Sequence, residues 1–178
     1  VQLWEEKMGL VLLEDISDKE YVRYGTEAEK YLRGLFALDF PEYQVLYDEN
    51  NMFLNPNFPW MHASLDGELM DRQGRHGILE IKTTNILQSS QRRNWEGRIP
   101  DNYYCQVLHY LAVTEYDFAV LKAQLKSEWG GELQYRSPAL FYRTEGSRGG
   151  HPGATVRRAE VLGLRGHRPR PDLILPAI

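Results

Sequence analysis

Every aromatic side chain of this 178-residue chain lies within residues 1–145; the last 33 residues, Gly146 to Ile178, hold six Gly, four Pro and six Arg, with no Lys and no aromatic. A segment of that kind has too little apolar surface to offset the entropy of ordering it. The folded unit is therefore expected over 1–145, and a loosely ordered Gly/Pro/Arg-rich tail over 146–178. With 42% hydrophobic and 26% charged residues, the chain fits one ordinary core rather than two domains. No apolar run approaches the ~20 residues of a membrane helix, and no basic start leads into an apolar stretch. A cytoplasmic protein without a membrane partner is expected. Cys105 is the single cysteine, which excludes an internal disulfide, and no Cys/His cluster has structural-zinc spacing.

The net charge of -4 is unevenly spread: residues 1–71 hold fifteen acids and five bases, whereas residues 72–126 hold five acids and eight bases. Overall acidity argues against a protein that coats nucleic acid through bulk charge. It leaves open an acidic pocket that binds a cation, which then meets phosphate.

Tyr21, Tyr24, Ala28, Tyr31, Leu32 and Leu35 recur at three- and four-residue steps and predict a helix over about 18–38, with Ser17 and Glu20 as a capping box. The stretch 1–13 reads as a short helix or its end. Tyr43–Tyr47 and Met52–Leu54 read as strands of a hairpin around Asp48–Asn51. His62–Met70 and Gly77–Thr83 follow as strands, and Pro100–Asp101 opens a second helix to about Thr114 with Asp101 as its N-cap. Two closing strands, Asp117–Leu125 and Leu133–Tyr142, flank Gly130–Gly131. This order implies an α/β (α+β) fold with a central mixed β-sheet flanked by helices. Trp60 is expected to pack in the core beside its strand.

The chemistry is concentrated in Ala63-Ser64-Leu65-Asp66-Gly67 and Gly77-Ile78-Leu79-Glu80-Ile81-Lys82-Thr83-Thr84. Side chains alternate across a strand, so Glu80 and Lys82 share one face. A turn near Gly74 would lay the two strands antiparallel and bring Asp66 toward Glu80. Two carboxylates and the Ile81 carbonyl make the oxygen environment that Mg²⁺ prefers, with Mn²⁺ able to substitute. Lys82 would orient the attacking water or balance charge. The implied reaction is phosphodiester hydrolysis. The plainer alternative, an exposed Glu80–Lys82 pair, fits poorly with Ile78, Leu79 and Ile81, which mark a central strand.

These segments resemble the PD-(D/E)XK nuclease superfamily and, within it, the YqaJ-like viral recombinases related to phage lambda exonuclease. Tyr24-Gly25-Thr26-Glu27-Ala28-Glu29 is similar to that family's Gly-x-x-x-Glu helix, Cys105-Gln106-Val107-Leu108-His109-Tyr110 to its Gln-x-x-x-Tyr helix, and Leu3-Trp4-Glu5-Glu6-Lys7-Met8-Gly9 to the segment after its N-terminal motif. That motif itself does not precede Leu3, so 1–145 reads as a nuclease domain lacking it. The resemblance implies a restriction-endonuclease-like core and an exodeoxyribonuclease that digests linear double-stranded DNA 5′ to 3′ in phage-type recombination. It also implies a single-strand annealing protein as partner, a homotrimer, and a phage or prophage origin in a bacterial host.

Glu29 lies at the edge of the helix's apolar stripe, one turn after Gly25, and is a candidate for the cation, directly or through water; the alternative is a solvent-facing helix acid. The resemblance assigns Gln106 to orienting substrate or the acids, with Tyr110 beside it, against the plainer reading of a surface Gln and a core Tyr. His109 reads as structural. In the polar segment 85–99, Arg92 and Arg93 suit phosphates and Trp95 suits a stacked base, with a solvated loop and one anchoring aromatic as the equal alternative. Rival functions are an endonuclease or single-strand repair nuclease on the same scaffold, and an inactive DNA-binding remnant.

Overall fold

Ala28, Leu32 and Phe36 recur at four-residue steps, and that stripe is buried along helix α1 (Glu20–Asp39), as amphipathic periodicity requires. The computed structural model describes residues 8–11, 15–96, 98–129 and 131–143; the proposed tail and most of the N-terminal helix fall outside them. Helix α1 begins behind Lys19, which gives no side-chain cap. The expected box does not form, because the cap position falls on Lys19 and Ser17 lies two residues outside it.

The strands that follow are β1 (Gln44–Leu46), β2 (Phe53–Leu54), β3 (His62–Ala63), β4 (Gly67–Met70) and β5 (His76–Ile86). After them come the short helix α2 (Ser89–Arg93), helix α3 (Asp101–Thr114), and strands β6 (Phe118–Trp129), β7 (Glu132–Arg136) and β8 (Ala139–Arg143). The main sheet has the order β1-β4-β5-β6-β7, with β8 also paired to β6. It is mixed, since β5 runs antiparallel to β4 and parallel to β6. The α+β class, with helices on a central mixed sheet, is the expected one.

Three local expectations change. Tyr43–Tyr47 and Met52–Leu54 do not form a hairpin: β1 pairs with β4, and β2 pairs with β3 in a separate ribbon. Asn51 draws the intervening segment away, because its side chain bonds the backbone of Leu65. The last expected strand divides into β7 and β8 around Ser137–Pro138, as a proline that lacks an N–H interrupts a ladder. Asp101 is the first residue of α3, with Pro100 as its cap.

Strand alternation splits the core in two. Ile78, Leu121 and Ala123 meet Val107, Leu111 and Val113 of α3 on one face. Leu79, Ile81 and Val120 meet Ala28, Leu32 and Phe36 of α1 on the other. Gly77 is required where β5 passes Phe118, since a Cβ there would lie 2.3 Å from the ring. Lys122, buried on β6, pairs with Asp39 Oδ2 at 2.9 Å and fastens the end of α1 to the sheet. Trp60, by contrast, is 73% exposed and meets Phe58 edge-on at 5.5 Å. No strand covers it, so it is not the core residue expected. Among the described residues no helix is long and apolar enough to cross a membrane.

Candidate active site

The pairing of β4 with β5 ends at Gly67 opposite Leu79, which would leave the next backbone donor on that edge of β5 without a strand partner. Asp66 supplies one: its Oδ2 accepts the Ile81 N–H at 2.7 Å. The carboxylate therefore extends the ladder by one bond while standing at the point where the strands separate. A strand residue directs its N–H and C=O to the same edge, so the Ile81 carbonyl faces the Asp66 side as well.

Glu80 and Lys82 share the face covered by α3. Glu80 is 1% exposed, and its Oε1 takes Lys82 Nζ at 2.5 Å. Its other oxygen, Oε2, is buried with no hydrogen-bond partner among the described residues. Each carboxylate thus has one oxygen held by a protein donor, and in Glu80 the other is left over. An unpartnered buried carboxylate oxygen is costly unless a cation or donor completes it. The donor set fits a hard divalent ion, which takes carboxylate, carbonyl and water oxygens.

The charges are mutually frustrated. Burial, reinforced by the Asp66 charge, pushes the Glu80 carboxyl up to about 7, against the opposing pull of Lys82. Burial raises Asp66 too, despite the Ile81 N–H, Lys82 and Arg33, which favour its ionised form. Burial opposes the Lys82 ammonium, but Glu80, with the charge of Asp66 and the nearby Tyr110, outweighs it and holds the lysine protonated above its ordinary range. One lysine between these acids does not fully stabilise them as anions.

Glu29 comes from α1, on the opposite face of the sheet. It is half-buried, and its carboxyl is raised by desolvation and then by the Asp66 charge, so the structure draws it into the same electrostatic group. Among the described residues no three His, Cys, Asp or Glu side chains converge on one ion position; a cation here would draw on two carboxylates, a carbonyl and water. From α3, Gln106 Nε2 donates to Tyr110 Oη at 2.9 Å. Burial, with the charges of Glu80 and Asp66, raises the Tyr110 hydroxyl against Gln106 and Lys82, which places that pair beside the cluster. The rival acids are engaged elsewhere: Glu68 accepts the Tyr116 hydroxyl and Asp71 pairs with Arg75.

Arg92 and Arg93 are exposed on α2, open to a ligand. Trp95 is not: it is 6% exposed and packs against Tyr103 at 5.7 Å. The base-stacking role is corrected, because a ring enclosed by α3 and Ile99 presents no open face. It supports Tyr103, whose ring lies 5.5 Å from Lys82 Nζ. His109, as expected, has a structural contact, Nε2 to the His62 carbonyl at 3.1 Å.

Two residues that steady Asp66 carry no motif. Arg33 Nε donates to the Asp66 carbonyl at 2.6 Å while its guanidinium lies 3.4 Å from the Tyr47 ring centroid. Asn51 Nδ2 donates to the Leu65 carbonyl at 2.9 Å, and Asn51 Oδ1 accepts the Leu65 N–H at 2.7 Å. The only sequence signal is that Arg33 stands one helical turn after Glu29.

Fold and site together define a mixed-sheet protein with a carboxylate–lysine cluster at the end of a strand pairing. Residues 1–117 match the YqaJ-like viral recombinase domain, and the chain belongs to that family. Among solved structures it is similar to LHK-Exo in complex with dAMP, at 16% identity and TM-score 0.45, covering 78% of this chain and 65% of that one. It is also similar to SSO0001, at 10% identity and TM-score 0.44, covering 76% and 60%. The chain therefore spans less than two thirds of either protein. No curated protein matches it.

Proposed function

We propose that the chain is a Mg²⁺-dependent exodeoxyribonuclease that hydrolyses linear double-stranded DNA from 5′ to 3′ in phage-type recombination, with Mn²⁺ able to substitute. The observation that carries the metal-dependent hydrolysis is the unpartnered, buried Oε2 of Glu80 beside Asp66 and Lys82. Direction of digestion, preference for ends, a homotrimeric assembly and a single-strand annealing partner follow from family membership alone.

Asp66 and Glu80, with the Ile81 carbonyl, would hold the ion, and Glu29 would act on it through water. Bound there, Mg²⁺ supplies Lewis acidity toward a phosphoryl oxygen and toward water. Lys82, kept cationic beside Glu80, would orient the attacking water and offset the negative charge that grows on phosphorus-bound oxygen. Gln106 and Tyr110 would position the scissile group, and Arg92 and Arg93 would contact phosphates.

The test is release of nucleotides from linear duplex DNA with Mg²⁺, run beside circular DNA. Nucleotide release from linear DNA alone is expected, falling about 10²-fold or more in Lys82→Ala, in line with losses of single electrostatic groups. Undiminished hydrolysis in both Asp66→Ala and Lys82→Ala would sink the assignment of these residues, and cutting of circles would replace the exonuclease with an endonuclease.

A further inference from the structure

A cleft of ≈ 240 Å³ opens on the α1 side of the end of β5, lined by Tyr21, Tyr24, Thr83, Thr84, Asn85 and Lys126. Three features distinguish it from an ordinary surface dimple. First, Tyr24 is fixed: its hydroxyl donates to Gln124 Oε1 at 2.6 Å, and Lys126 Nζ lies 2.7 Å from its ring centroid. Second, Lys126 has no carboxylate partner among the described residues; its contact is this ring. Third, the cleft shares its supports with the cluster. Thr83 directly follows Lys82 on β5, and Gly25 of α1 lies against Thr83, where an added Cβ would touch Oγ1 at 3.4 Å.

Helix α1 therefore places Tyr24 over the end of β5 and Glu29 beside the acids. Five residues at 1.5 Å each set them about 7.5 Å apart along the helix axis, roughly two base steps of a stacked strand. An uncompensated cation, hydroxyl and amide donors and an exposed Tyr21 ring are the groups that accept a sugar-phosphate backbone and one unpaired base.

We infer that this cleft is a subsite for a nucleotide of an unpaired strand flanking the bond to be cut, with Lys126 on its phosphate and Tyr21 against its base. The inference rests on the proposed nuclease function, but its test does not need cleavage. A fluorescein-labelled oligothymidylate is titrated with the full chain in the absence of divalent ions and followed by anisotropy at several salt concentrations. Tyr21→Ala should weaken binding at least about fivefold, the low end for loss of a stacked base. Lys126→Gln should weaken binding and lower the salt slope by about 0.7, one phosphate contact on a single strand, with Lys126→Arg restoring both. No binding by the native chain, or unchanged affinity and slope in both variants, overturns the subsite. If these shifts occur while Mg²⁺ elicits no hydrolysis, the nuclease function fails and the subsite stands.

Discussion

At the scale of single residues, the candidate site depends on groups that stand outside the carboxylate–lysine cluster. Arg33 and Asn51 hold the main chain on either side of the Asp66 side chain, one through the Asp66 carbonyl and the other through both backbone groups of Leu65. Asn51→Ala removes both bonds to Leu65 together with those to the Asp48 carbonyl and the Ser64 hydroxyl, and is expected to cost about 1–3 kcal/mol of stability, measured by urea denaturation. Its effect on DNA hydrolysis should fall on kcat more than on KM, because what moves is the orientation of Asp66; an equal loss in both would make Asn51 merely structural. Neither residue was legible in the sequence, since each acts on backbone atoms 14 or 33 positions away. Glu80 and Lys82 were legible because a period of two puts them on one face whatever the tertiary setting. Trp60 was read as core and is exposed, and of the two equal readings of Trp95 the anchoring aromatic is the one that holds: an isolated aromatic carries no local sign of what packs over it.

At the scale of elements, β5 is the axis of the molecule, and alternation along it assigns one helix to each face. Its start depends on Gly77. Gly77→Ala would place a Cβ 2.3 Å from the Phe118 ring, which is buried on the α1 face and packs 5.6 Å from Tyr43. A destabilisation of about 1–3 kcal/mol is expected, typical of overpacking, and Gly77→Ala combined with Phe118→Leu should recover part of it in thermal melts. The two long helices and β5 were readable because each is long and periodic. The pairing of β1 with β4 rather than β2 was not, because three-residue strands contain too little pattern to choose a partner.

At the scale of the whole molecule, the cluster ties stability to pH and, under the proposed function, would tie it to cations. In the folded chain Glu80 keeps its proton up to about 7, whereas its ordinary carboxyl value is 4.5. The native state thus binds more protons than the unfolded one between these values, and stability falls as pH rises through that window. A divalent ion that binds the ionised form should reverse this loss. The rise in Tm on adding Mg²⁺ is therefore expected to be larger near about pH 8 than near about pH 5. Equal rises at both would separate the ion from these carboxylates.

The short reach of Asp66 imposes a further restriction on the protein. One oxygen completes the hydrogen bonding of a strand, and under the proposed function the other would serve the ion, so the side chain would be a structural brace and a ligand at once. Glutamate, one methylene longer, cannot keep both atoms where they are without shifting the main chain that Arg33 and Asn51 clamp. Under the proposed function, fitting this centre to a different metal would begin with the scaffold around residue 66, because a longer acid there disturbs the bond that continues the sheet.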